Sequence, residues 1–167
     1  DMEKDFKGTL QKVKELGYDG VEFAGLFGIA PADVKAMCAE IGLNPISAHV
    51  PLQEMLEDID KVIADYKAIG CEYIVVPYVT EERRPGGDKF MQMVEEIRTI
   101  GQKCKEAGLV LLYHNHDFEF QKTETGEFGL DYLYANVPAD LLQTELDQCW
   151  VKYAGQEPVA YLQKYSG

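Results

Sequence analysis

Eight residues, Tyr113-His114-Asn115-His116-Asp117-Phe118-Glu119-Phe120, carry two of the chain's three histidines and two carboxylates. The apolar run before them, Leu109 to Leu112, reads as a buried parallel strand. Side chains alternate along a strand, so His114 and His116 are expected on one face. Two neutral imidazoles on one face suit a first-row divalent cation. The alternative is a hydrogen-bonded pair that braces a buried loop. Downstream, Asp147 ends the run Leu141-Leu-Gln-Thr-Glu-Leu-Asp147, with Glu145 two residues earlier on the same face. Two inward-pointing carboxylates resist ionisation unless a cation or donors answer them. A divalent ion is the simplest answer; pairing of Glu145 with a lysine or arginine is the other. Glu22 interrupts Val21 and Phe23, and His49 ends Ile46-Ser-Ala-His49. As neighbours they would form a hydrogen-bonded acid–base pair. Trp150 is placed either to wall a sugar pocket or to fill a core.

Strand ends must bring these groups together, and the chain supplies them by repetition. A helix, a glycine and a short apolar strand recur around Gly17, Gly42, Gly70 and Gly108, each glycine at a helix C′ position. The following strands are short and apolar without strict alternation, as in sheets buried on both faces. Helical spacing appears in Phe6, Leu10, Val13, Leu16 and in Ile59, Val62, Ile63, Tyr66, Ile69. Pro31 and Asp88 mark helix starts. Repeated alternation implies parallel strands in an α/β fold, either an open doubly wound sheet or a (β/α)₈ TIM barrel. No Gly-x-Gly-x-x-Gly or Walker motif is present to support the nucleotide-binding open sheet. Glu22, His49, Tyr78, His114, His116, Glu145 and Asp147 all stand near C-terminal strand ends, where barrel enzymes gather their chemistry. A barrel is therefore expected, as one domain over residues 1–167. Five strands and six helices are counted, against about 250 residues for a full barrel. The expectation is an incomplete segment lacking the first strand and the last two βα units.

Composition narrows the partners. A net charge of −13 with interleaved basic residues argues against nucleic acid. No run approaches the roughly 20 apolar residues of a membrane helix. Cys38, Cys71, Cys104 and Cys149 lack metal or redox spacing and read as reduced thiols, which points to the cytoplasm, with a removed N-terminal signal left open. Arg83 or Arg84, in the charged loop Glu81 to Gly87, could reach an anionic substrate group, although a solvated loop is the plainer reading. Glu57, Asp58 and Asp60 read as a solvated acidic face at a helix start. Asp117 and Glu119 are candidates to orient the histidines.

Gly17-Tyr-Asp-Gly-Val-Glu22, Ile46-Ser-Ala-His49, the Tyr113–Phe120 word and Glu145-Leu-Asp-Gln-Cys-Trp150 together resemble the sugar phosphate isomerase/epimerase family. These are the xylose isomerase-like barrels, also labelled apurinic endonuclease family 2. The resemblance runs through essentially the whole chain. It implies a divalent ion, often manganese, with Co²⁺, Mg²⁺ or Zn²⁺ as alternatives, held by glutamate, aspartate, histidine and a second glutamate. Asp147 falls on the aspartate position, and His114 stands where many relatives have the first glutamate. The later two ligands would lie beyond Gly167. Trp150 replaces a histidine of many epimerases. The implied reaction is proton transfer next to a carbonyl through an enediolate, giving isomerase, epimerase or dehydratase outcomes on a sugar, keto-sugar or cyclitol. The reading assigns Glu22, His49 and Glu145 to proton transfer. His116, Trp150 and Tyr78 contact substrate, and His114 and Asp147 hold the metal. The rivals are a carbohydrate-binding barrel that has lost its metal and, behind it, a phosphodiesterase for damaged DNA. Homo-oligomerisation is left open.

Overall fold

The computed structural model describes residues 1–166. Five strands, β1 (Gly20–Phe23), β2 (Asn44–His49), β3 (Tyr73–Val76), β4 (Val110–His114) and β5 (Gln143–Glu145), form one sheet. Every neighbouring pair is parallel, and the spatial order is the chain order. A doubly wound sheet reverses direction at a switch point; this one never does. Single-direction winding with helices between strands is the construction of a barrel wall.

Each helix is set by local chemistry. In α1 (Phe6–Glu15) the Asp5 carboxylate caps the first turn, accepting from Gly8 N–H at 2.9 Å. Pro31 opens α2 (Pro31–Ile41), and Gly42 closes it at φ 79°, a left-handed position that favours glycine. The next helix, α3 (Leu52–Ile69), begins earlier than the acidic residues suggested. Asp58 instead breaks it internally at φ −155°, and its carboxylate recaps the helix by accepting from Lys61 N–H at 2.9 Å. The long α4 (Phe90–Glu106) buries Phe90, Met93, Val94, Ile97, Ile100 and Cys104 along one stripe. Beyond it come α5 (Gly129–Asn136), α6 (Gln148–Tyr153) and α7 (Pro158–Tyr165). Among the described residues the helix count is thus seven rather than six, with short 3₁₀ turns at Glu81–Arg83 and Phe118–Phe120 in addition. The unforeseen helix is α6, whose six residues are too few to show a period.

The core lies between the sheet and its helices. Ile74, Val75 and Val76 of β3 are sealed from solvent, as are Leu10, Ile97 and Leu130 from three helices. No described helix is long and apolar enough to cross a membrane. Gly101 marks a close approach of α4 to backbone, because a Cβ there would overlap the main-chain carbonyl of Leu141. Alanine is the better helix former by about 1 kcal/mol. Overpacking against backbone costs about 1–3 kcal/mol and wins. Gly101→Ala is therefore expected to lower the melting temperature by a few degrees; a rise in thermal denaturation would show that α4 is not held by this approach.

Candidate active site

Register, more than proximity in sequence, builds the site. Between Val21 and Glu22 the β1–β2 pairing shifts, so Val21 faces Pro45 while Glu22 faces Ser47, skipping Ile46. An extra residue in one strand re-aims the side chains after it. Glu22 thereby shares a face with Ser47 and, two residues on, His49. At the other end, His114 pairs directly with Glu145.

The tips converge on one carboxylate. Glu145 Oε2 lies 2.8 Å from His49 Nε2 and 3.2 Å from His114 Nδ1. His49 Nε2 is also 3.1 Å from Glu22 Oε1, and Ser47 Oγ donates to Glu22 Oε2 at 2.5 Å. The two imidazole rings stand 5.1 Å apart. His114 faces a second carboxylate with its other nitrogen, Nε2 being 3.8 Å from Asp147 Oδ2. Asp147 does not continue β5 as expected. It is the N-cap of α6, its Oδ1 accepting from Trp150 N–H at 3.0 Å. Glu145 and Asp147 therefore flank His114 from two sides.

Burial and partners set opposite tendencies in the two glutamates. For Glu22, burial raises the carboxyl pKa, the Ser47 hydrogen bond opposes it, and neighbouring Glu145 adds to the rise. Burial pushes Glu145 upward too, but hydrogen bonds from His114, His49 and Glu22 outweigh it and hold the carboxyl below its ordinary range. The bond to Glu145 raises His49, against the effect of burial. A carboxyl shifted down, Glu145, thus sits in contact with a carboxyl and an imidazole shifted up, Glu22 and His49. Such divergence marks groups able to divide acid and base duties.

His116 lies past the end of β4 and works in a second layer. Its ring stacks on Phe118 at 5.3 Å with 7° between planes, and touches Trp150, Tyr78 and His114 at 5.3, 5.5 and 5.1 Å. Burial and the charge of His114 lower its pKa, so the neutral ring is favoured. Trp150 is half-buried and packs on His116 and Tyr153, and Tyr78 is largely exposed. Together they wall one side of the cluster. Arg83 is paired with Glu96 of α4, whereas Arg84 lies over Phe118 and Tyr78. Cys149, though close in sequence, is exposed.

Two supports went largely unread in the sequence. Asn115 is fully buried, accepting from Asp147 N–H at 2.9 Å and donating to Asp147 C=O at 3.2 Å. It bolts the loop after β4 to the loop after β5. An asparagine between two histidines was the available signal. Glu119, foreseen only as a possible orienter, accepts from His116 N–H at 2.8 Å and from Tyr113 O–H at 2.9 Å. Asp117, its companion in that reading, makes no such bond to the histidine rings among the described residues.

The donor set fits a divalent cation. His49, His114 and Glu145 each offer one ligand atom, all within 4.8 Å of one another. Two imidazoles and a carboxylate match the preferences of first-row divalent ions, which require the imidazoles to give up the protons now shared with Glu145. Asp147, expected in this set with His114, stands one step further out.

Residues 10–163 match the family described as xylose isomerase-like TIM barrel, AP_endonuc_2. The chain belongs to that family. A sugar phosphate isomerase/epimerase from Parabacteroides distasonis superposes with a TM-score of 0.80 at 23% identity, covering 98% of this chain and 67% of that one. For a structure of L-ribulose 3-epimerase the TM-score is 0.74 at 15% identity, covering 98% and 62%. The probable 3-DHS dehydratase AsbF of Bacillus anthracis gives 0.76 at 15%, covering 97% and 64%. At these identities the likeness shows a shared fold, and the chain spans roughly two thirds of each relative's length. No curated protein matches the chain.

Burial raises the Glu119 carboxyl from 4.5 to about 7, against hydrogen bonds that favour ionisation. Above pH 4.5 the unfolded chain ionises this group first, so folded stability falls as pH rises and levels off past about pH 7. The loss is on the order of 3 kcal/mol. Glu119→Gln is expected to remove that slope in urea denaturation at pH 5 and pH 8; parallel wild-type and variant profiles would show that Glu119 is ionised throughout.

Proposed function

We propose that this site serves a metal-dependent isomerase, epimerase or dehydratase that acts on a sugar, keto-sugar or cyclitol by proton transfer next to a carbonyl. The observation that carries the reading is the convergence of His49, His114 and Glu145 within 4.8 Å, with Glu22 touching the same imidazole. Family membership supports it, as do relatives named as an isomerase/epimerase, an epimerase and a dehydratase.

His49, His114 and Glu145 would hold the ion, with Asp147 as the nearest further carboxylate and orienter of His114. A bound divalent ion, manganese first with cobalt, magnesium or zinc as alternatives, supplies Lewis-acid polarisation of adjacent substrate oxygens. Glu22 takes the proton from the carbon beside the carbonyl and returns it. Burial raises its carboxyl pKa above the ordinary value, the direction that makes a carboxylate a better proton acceptor. Ser47 fixes the rotation of that carboxyl by donating to Oε2. His116, Trp150 and Tyr78 exclude water along one wall and orient the sugar by ring contact. The domain boundaries proposed are 1–167, as one unit.

Metal retention tests the ligand set. Glu145→Gln is expected to weaken Mn²⁺ binding, measured by titration calorimetry, by at least a hundredfold. Asp147→Asn should weaken it about tenfold, as loss of an orienting group does. The reverse order would place the ion on the Asp147 side of His114.

Proton transfer has its own readout. The metal-loaded chain, incubated in deuterated water with ketoses, inosose and 3-keto-glycosides, should place solvent deuterium at one carbon of one compound. Glu22→Gln is expected to slow that exchange by about 10²–10⁴ while leaving bound Mn²⁺ unchanged. Tight sugar binding without exchange would replace catalysis with carbohydrate binding.

A further inference from the structure

Arg84 is a cation on the site's aromatic wall without an acidic partner of its own. Its guanidinium carbon lies 4.1 Å from the Phe118 ring centroid and 5.2 Å from that of Tyr78. One terminal nitrogen donates to the Tyr78 hydroxyl, and Nε donates to the Val79 carbonyl at 3.4 Å. Both partners are neutral. Among the described residues Arg84 makes no ion pair, whereas Arg83 is joined to Glu96, Lys103 to Asp60 and Lys105 to Asp140. Of the three arginines, Arg83 and Arg98 are paired with glutamates and Arg84 is not, among the described residues.

Position gives the unpaired charge a meaning. Tyr78 and Phe118, the two rings under the guanidinium, both touch His116 at 5.5 and 5.3 Å, and His116 touches His114 at 5.1 Å. Arg84 and the imidazole–carboxylate cluster are thus two ends of one aromatic wall. A guanidinium has five N–H donors in a planar fork, and two are used here. The remaining three form a pre-oriented fork, since packing on two rings has already restricted the side chain. Such a fork suits the oxygens of a carboxylate or a phosphate.

We propose that Arg84 recognises an anionic group of the site's ligand, a carboxylate or phosphate at the end remote from the oxygens addressed by His49, His114 and Glu145. This rests on the sugar reading above and narrows it to acidic or phosphorylated sugars. The competing role is a brace that only pins the Glu81–Gly87 loop to Phe118.

Titration calorimetry on the whole chain separates them. With Mn²⁺ present, D-fructose 6-phosphate or D-glucuronate should bind at least tenfold more tightly than D-fructose; which one does so identifies phosphate or carboxylate. Arg84→Gln should bring that ratio to within twofold and leave D-fructose affinity unchanged, which loss of a brace would not do selectively. Were Arg84→Gln to unfold, Arg84→Met keeps the packing on Phe118, removes the charge and gives the same readout. Equal binding of charged and neutral sugars by the wild type overturns the proposal and leaves the sugar reading standing. So does a preference that survives both variants. Inorganic phosphate, titrated into metal-free protein, is the second arm. Phosphate binding that disappears in the variant, with no sugar bound, keeps the Arg84 site and discards the sugar reading. Binding of neither phosphate nor sugar discards both.

Discussion

A carboxylate drawn partly out of water must be met by donors or a cation, and Glu145 is met by two imidazoles from two other strands. That single demand organises the strand tips. His49 is held between Glu22 and Glu145, and His114 between Glu145 and Asp147, so four strand ends are joined by one alternating chain of acids and bases. The arrangement is stable only while positive and negative partners remain balanced. Under the proposed reading, exchange of its shared protons for a divalent ion would preserve that balance, and the same contacts would serve with and without the ion.

Much of this was legible in the chain. The helix–glycine–strand repeat located the strands, and the absence of nucleotide-loop motifs, with polar residues at strand ends, favoured the barrel over the open sheet. Glu22, His49, His114 and Glu145 were visible because each is a polar residue at the end of an apolar run. What stayed hidden depends on geometry that residue types do not encode. The shift between Val21 and Glu22 falls beside Gly20 and opposite Pro45, yet those residue types mark an irregularity without saying which way the side chains then face. Asp147 looked like a strand residue because apolar Leu146 precedes it, yet capping chemistry made it the start of α6. Asn115 has a side chain common in loops, and only its complete burial exposes its role.

The aromatic wall and the acid–base chain divide the labour between them. His116 belongs to both, with its backbone N–H fixed by Glu119 and its ring pressed between Phe118 and Trp150. Three of the four cysteines are buried, and burial raises their thiol pKa, with Cys71 and Cys104 pushed up to about 12. They behave as small apolar filler. The groups that converge at the strand ends are oxygen and nitrogen donors.

Two of the three hydrogen bonds made by the Asn115 side chain join the main chain of residue 147, the third going to the His116 carbonyl at 3.4 Å, so that position is gripped by its backbone as well as by its own helix cap. Exchange of the side chain would give up the α6 cap and leave the main-chain mounting in place. Such a socket would let a lineage, or an experimenter, vary one side chain at a helix-capping cost of about 1 kcal/mol while the join between the two loops stays intact.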